Sequence, residues 1–505
     1  MMIAPMKIFR THLTNEQDTE KLAEALAKFT VAGDRFYLNG TLGTGKTTFS
    51  RAFVHALGSK DAHVPSPTFT LVQTYDDARL PVAHVDCYRI ENPDIELEAL
   101  SLSPFFRDGV TLLEWADKVQ TSLPPVAGTD VAIAELDIPD ALTINISHGS
   151  DDSRDVEMFA SGSWAFRLER IGTFGEKEDK QEHRYSEHEY MSKNGLRGHV
   201  LTPLFQDCSL RSYSRFKTGE GSRVLMNAPP GLEDLATFVR HAKSLKMQGV
   251  NVPAIYEYNL EHGYAMLEDF GDTILHKALM RAPKDELLLS KAFEMLKAFQ
   301  STNLTDIPKY TEDTTFAEAS RFIDWYLPYA KGHATPTGAR REWRNLWFDL
   351  YPQIAAMPQV PVHWDFHVGN MMVLESGELG LIDFQDVKLG SCAFDLACLL
   401  EDRYPVSEHV KQALITNLAE HHGVATDAFE AAYVLGALHR MFKVTGLLVR
   451  LKERDGKEDA LARMGEVWQT IARLCEHPVA APIKEYLNRV YPVYEEKYLK
   501  AQKAS

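Results

Sequence analysis

Apolar and polar residues change period repeatedly along the first third of the chain. In residues 15–29 the apolar positions recur at helical spacing, with Leu22, Leu26 and Phe29 on one face and Asn15 or Asp18 placed to cap the start. The apolar run 36–38 reads as a strand, and a helical pattern resumes from Lys46 to about Leu57. Pro65 and Pro67 exclude a helix in VPSPTFTLVQTY, where Thr68 to Val72 alternate as a strand. VAHVDCY and GVTLLEW read as further strands, and residues 143–146 and 156–159 add two more. Helices interleaved with strands predict an α/β domain here.

The pattern breaks at residues 172–190, GTFGEKEDKQEHRYSEHEY, which are charged and nearly free of aliphatics. Such a stretch cannot bury enough apolar surface to offset its ordering entropy, so it reads as a linker. The expected organisation is therefore one domain over 1–170, a charged linker over 171–192 and a second domain over 193–505. In the second domain QDCSLRSYSRF and RVLMNAPP read as a hairpin, and GYAMLEDFGD as a strand and hinge. Amphipathic helices such as AFDLACLLEDR and LGALHRMFKVTGLLVRLKER dominate to the end.

With 505 residues, 45% hydrophobic and 25% charged, the chain has the composition of an ordinary globular protein of several domains. A net charge of −17 spread over both halves argues against a dedicated nucleic-acid binder, which needs a basic footprint. The five cysteines are scattered without metal-site spacing and read as free thiols of a reducing compartment. No apolar run reaches the length of a membrane span and the start lacks a signal-peptide pattern, so the expected location is the cytoplasm.

The chemistry concentrates in three places. Residues 40–47 spell G-x-x-x-x-G-K-T between a strand and a helix, the setting of a phosphate-binding loop. Gly40, Gly43 and Gly45 let backbone N–H groups curl around an anion without a Cβ in the way. Lys46 would reach the outer phosphates of a nucleotide such as ATP, and the Thr47 hydroxyl would hold Mg²⁺. Thr48 completes the nucleotide-binding candidates. An acidic residue at the end of an apolar strand is where such enzymes hold the metal or orient water, which makes Asp86 and Glu114 candidates.

In the second domain His363, Asp365 and Asn370 fit H-x-D-x-x-x-x-N, and Asp383 follows thirteen residues after Asn370. In that pattern Asp365 accepts the proton of a substrate hydroxyl, while Asn370 and Asp383 hold Mg²⁺ on ATP. Adenine would be met near Glu268 and Asp269. Two features depart from the wider kinase pattern. Leu225 and Met226 stand where a phosphate-pairing lysine is usual, leaving that charge to Arg211 or Arg215. There is also no G-x-G-x-x-G, so the phosphate cover would rest on Ser209, Ser212 and nearby N–H groups.

GTLGTGKTTF, SPTFTLVQTY, HVDCYRI and LLEW, in that order, resemble the TsaE family over residues 1 to about 170. The resemblance implies a small ATPase that works with the TsaB–TsaD pair in making threonylcarbamoyladenosine in tRNA. It assigns Asp86 to nucleotide hydrolysis, Glu114 to the metal and Thr68 to a switch-like loop. Cys87 is a departure at a usually apolar position. DCSLRSYSRF, VLMNAPP, LEDFGD, HWDFHVGN and IDFQD are similar to the aminoglycoside phosphotransferase-like kinases, especially the AmgK type. That resemblance implies an α+β kinase-like fold and phosphorylation of N-acetylmuramate or N-acetylglucosamine, a small amino sugar. The rival expectation is an ATP-gated docking module fused to an aminoglycoside-type kinase or a pseudokinase.

Overall fold

The computed structural model describes residues 7–123, 140–160, 162–171, 186–204, 211–219, 221–230, 233–281 and 286–492. The described residues fall into two compact units, those within Met1–Asp179, Phe316–Leu346 and Phe442–Met464, and those within Lys180–Thr315, Trp347–Met441 and Gly465–Ser505. Ser209 and most of the expected linker lie outside the described residues.

The first unit is built on seven strands: β1 (Lys7–Leu13), β2 (Arg35–Asn39), β3 (Val72–Tyr75), β4 (Val82–Asp86), β5 (Val110–Glu114), β6 (Ala141–His148) and β7 (Arg154–Ala160). Their order is β1-β7-β6-β2-β5-β4-β3. β2 runs parallel to β5 and β6, and β4 parallel to β5, whereas β1, β3 and β7 pair antiparallel. The parallel centre explains why β2, β4 and β5 read as continuous apolar runs, since helices cover such a sheet on its faces. Helix α1 (Glu16–Phe29) is capped by Asn15, whose side chain accepts from the Asp18 N–H, and it buries Leu22 and Leu26. Helix α2 (Lys46–Ala56) packs Phe53 edge-on to Phe36 of β2 with centroids 4.7 Å apart.

The strand expected from Thr68 begins only at Val72. Leu71 adopts φ 64°, its N–H closes a turn on the Pro67 carbonyl at 2.7 Å, and Thr68 Oγ1 donates to Asp86. Local turn and side-chain bonds take these residues out of the ladder. The same unit includes the helix Thr337–Ala355 as far as Leu346, and Arg340 and Arg344 from it reach Asp108, just before β5.

In the second unit an antiparallel sheet of order β11-β12-β10-β9-β8 is formed by β8 (Thr202–Pro203), β9 (Ser212–Thr218), β10 (Gly221–Asn227), β11 (Ile255–Asn259) and β12 (Tyr264–Glu268). Two ribbons follow, β13 (Gln359–Val362) with β16 (Lys388–Ser391), and β14 (Met371–Val373) with β15 (Leu379–Leu381). They frame the segment that carries Asp365, Asn370 and Asp383. Contrary to the expectation from apolar runs, the helix Thr426–Glu453 is long and apolar enough to cross a membrane. Its most apolar window is 94% buried, which marks it as a core helix.

Candidate functional site

In the first unit β2 is followed by Gly40, whose φ is 146° and whose Cβ, if it had one, would stand 2.3 Å from the Ile146 carbonyl oxygen. Only glycine fits there. Gly43 and Gly45 also have positive φ, 79° and 102°, and they turn the chain into the start of α2. A loop of N–H groups at a helix N-terminus is a ready-made anion site. Lys46 Nζ donates to the carbonyls of Gly40 and Thr41 at 2.7 and 2.8 Å and lies 4.0 Å over the Trp115 ring. Burial pulls its ammonium below the usual lysine range, against the attraction of Glu114, Asp86 and Asp117. Thr48 turns its hydroxyl to Glu16 on α1. A cavity of about 920 Å³ opens beside Gly40 and Thr41, lined also by Trp115, Asp117 and Asn145.

The parallel register sets Asp86 of β4 beside Glu114 of β5. Glu114 accepts from Thr47 Oγ1 at 3.1 Å, Ser50 Oγ at 3.2 Å and His84 Nε2 at 2.8 Å. Asp86 accepts from the Ser66 and Thr68 hydroxyls at 2.9 and 2.8 Å and from the Tyr88 N–H at 2.9 Å. The strand ends thus bring Thr47, Glu114 and Asp86 together beside Lys46. Sequence reasoning gave Ser50 and His84 no role. The period of two in β4 was the available signal, because His84 shares a face with Asp86.

The second unit joins its candidates through backbone bonds. The Asn370 side-chain amide donates to the Asp365 carbonyl at 3.0 Å, and the Asn370 carbonyl accepts from the Ile382 N–H at 3.0 Å, one residue before Asp383. Trp364 and Asp383 adopt φ 78° and 64°, a conformation that non-glycine residues hold only where surroundings enforce it. The enforcing group at Trp364 is Asp395, whose two carboxylate oxygens accept the His363 and Trp364 N–H groups at 2.6 and 3.1 Å. Burial pushes the Asp395 carboxyl up to about 7, opposed by those two N–H donors. The Asp365 carboxylate is ion-paired with Arg440 Nη1, and Arg440 Nη2 donates to Asp402 at 3.0 Å. Burial opposes the Arg440 charge, yet Asp365 and Asp402 hold its acidity well below that of an ordinary guanidinium. His363 and His367 are buried, and burial lowers both pKa values, His367 to about 3.

Glu268 ends β12 with its carboxylate on the Ala254 N–H at 3.0 Å and on Lys246, so its side chain serves the hinge itself. Asp395 and Arg440 were missed because both stand in stretches whose apolar stripes read as plain core helix. The acid set among apolar residues at the start of AFDLACLLEDR was the one hint. Asp395→Asn presents an amide N–H₂ to one of the two backbone donors, leaving a buried donor unmatched at a cost of about 1–3 kcal/mol. We expect a lower melting temperature and slower phosphotransfer from the same variant; unchanged values of both would remove Asp395 from this role.

The family model described as threonylcarbamoyl adenosine biosynthesis protein TsaE matches residues 13–156, and that of the phosphotransferase enzyme family matches residues 201–428. A Bacillus subtilis tRNA threonylcarbamoyladenosine biosynthesis protein TsaE is 36% identical over 31% of this chain and 89% of its own length. One from Haemophilus influenzae is 38% identical over 28% of this chain and 80% of its own. A Pseudomonas aeruginosa N-acetylmuramate/N-acetylglucosamine kinase is 32% identical over 51% of this chain and 78% of its own. Taken with the phosphate loop in one unit and the Asp365, Asn370 and Asp383 set in the other, these matches show a fusion whose N-terminal part belongs to the TsaE family and whose C-terminal part belongs to the phosphotransferase enzyme family.

Proposed function

We propose that the chain is a bifunctional ATP-using enzyme, with a TsaE-type ATPase in residues 1–170 and a sugar kinase in residues 193–505. The ATPase supports tRNA threonylcarbamoyladenosine formation together with TsaB–TsaD, as the names of its relatives suggest. The kinase transfers the γ-phosphoryl group of ATP to the anomeric hydroxyl of N-acetylmuramate or N-acetylglucosamine.

Mg²⁺ suits both donor sets. Thr47 and Glu114 offer hard oxygens 3.1 Å apart, and Asn370 spends its N–H₂ on Asp365, which leaves its carbonyl oxygen to join Asp383. No cluster of three or more His, Cys, Asp or Glu able to hold a metal occurs among the described residues. Such a set suits an ion that completes its shell with water and nucleotide oxygens. Bound there, Mg²⁺ would neutralise charge on the phosphates.

The chain's own residues perform the rest. Asp365 accepts the proton of the sugar hydroxyl as its oxygen bonds to the γ-phosphorus, and ADP carries away the electrons of the broken P–O bond. Arg440 holds Asp365 in place, and Asp395 holds the turn that precedes it. In the first unit Asp86, set by Ser66, Thr68 and the Tyr88 N–H, orients the attacking water, and Lys46 meets the phosphates.

The observation that supports the kinase reading is the Asn370 bridge, whose side-chain amide donates to the Asp365 backbone carbonyl and whose backbone carbonyl accepts from Ile382, the residue before Asp383. The test is phosphorus NMR on purified full-length protein given ATP and each amino sugar. A new sugar 1-phosphate resonance is expected. Phosphorylation of aminoglycosides with no transfer to any amino sugar would overturn the substrate assignment.

A further inference from the structure

A phosphotransferase must set fixed positive charge against the phosphates of its nucleotide, because charge grows on the leaving group during transfer. The strand position that usually supplies it, on β10, is occupied by Leu225 and Met226, which are 1% and 0% exposed. No cation reaches a nucleotide from there. Four cations stand on or beside the β9–β10 hairpin: Arg211, Arg215, Lys217 and Arg223.

Three of them point elsewhere. Arg215 is bidentate to Asp269 at 2.6 and 2.9 Å and also donates to Asp272 at 2.8 Å. Arg223 lies 4.2 Å over the Tyr256 ring. Lys217 is exposed near the turn of the hairpin, opposite Ser222.

Arg211 is different. It is 8% exposed, and its Nε lies 3.2 Å from Glu233 Oε2. Glu233 immediately precedes Asp234, the cap of the helix Leu235–Met247. That helix stacks Phe238 on Phe384 with centroids 5.0 Å apart, and Phe384 follows Asp383. The ion pair therefore belongs to the helix that packs against the Asp383 segment. Burial opposes the Arg211 charge, but Tyr213, Glu233, Asp383 and Asp386 outweigh it and keep the guanidinium protonated.

We infer that Arg211, held by Glu233, is the cation that meets the nucleotide phosphates in the second unit, in place of the lysine that β10 lacks. This rests on reading that unit as an ATP-using phosphotransferase. Register explains how the exchange works: Ser212 pairs with Asn227 and Tyr213 with Met226, so Arg211 stands one strand away and just beyond the usual lysine position. Its planar fork also grips two phosphate oxygens where an ammonium offers a point charge.

The test is calorimetric titration of the full chain carrying Lys46→Ala, which removes the first unit's main phosphate contact. ADP and adenosine are compared with and without Arg211→Met. The expected result is a loss of about tenfold or more in ADP affinity with adenosine affinity unchanged. Arg211→Lys, which keeps a charge but not the fork, should lose less, and it makes the same comparison if the methionine variant does not fold. Unchanged ADP affinity, or an equal loss for adenosine, would overturn the assignment. Failure of the Lys46→Ala parent to bind either compound would instead sink the phosphotransferase reading beneath it.

Discussion

Asp365→Asn is expected to lower phosphotransfer to the amino sugar by about 10²–10⁴-fold, the range that a positioned general base contributes. Asparagine keeps the shape of the side chain and can still accept one hydrogen bond from Arg440, but it cannot take the hydroxyl proton. The fold should survive, because Arg440 retains its buried partner Asp402 and the loop retains the Asn370 bond to the residue 365 carbonyl. ATP binding should likewise persist, since Asn370 and Asp383 are untouched. Single-turnover kinetics at saturating ATP and sugar measure the effect directly. A variant that keeps more than about a tenth of the wild-type rate would remove Asp365 as the base.

Lys46→Ala is expected to reduce ATP hydrolysis in the first unit by about 10²–10³-fold, the usual cost of losing one fixed charge or donor aimed at the reacting group. In the nucleotide-free protein the Lys46 ammonium rests on two loop carbonyls and the Trp115 ring, and burial already works against its charge. A phosphate in the loop would add a closer counter-charge to those of Glu114, Asp86 and Asp117 and offset the cost of burial. Release of phosphate with and without TsaB–TsaD, together with a pull-down of that pair, divides two outcomes. A motor loses hydrolysis and support for tRNA modification together. A docking module keeps partner binding and supports modification without turnover.

Within the first unit the pattern of apolar runs anticipated most strands and both helices around the loop, because parallel strands buried on two faces and amphipathic helices leave strong local signatures. The segment 68–71 alternates like a strand, but the Thr68 hydroxyl is spent on Asp86 and the Leu71 N–H on the Pro67 carbonyl. In the second unit Asp365, Asn370 and Asp383 could be found by spacing, as a short loop and hairpin constrain them locally. Asp395 and Arg440 could not. Each acts across a long stretch of chain, and neither has a neighbour in sequence that shares its task.

The chain of residues by itself determined where the glycine-bearing turn before a helix lies and which oxygens stand in a loop of fixed spacing, since both are local geometry. The tertiary structure alone decided what surrounds those groups: that Arg215 is tied to the hinge while Arg211 is held by Glu233, that Asp395 clamps Trp364, and that Arg340 and Arg344 close on Asp108. A buried charge left unpaired is costly, so where these side chains are buried their distant partners are set by the folded core and not by neighbours in sequence.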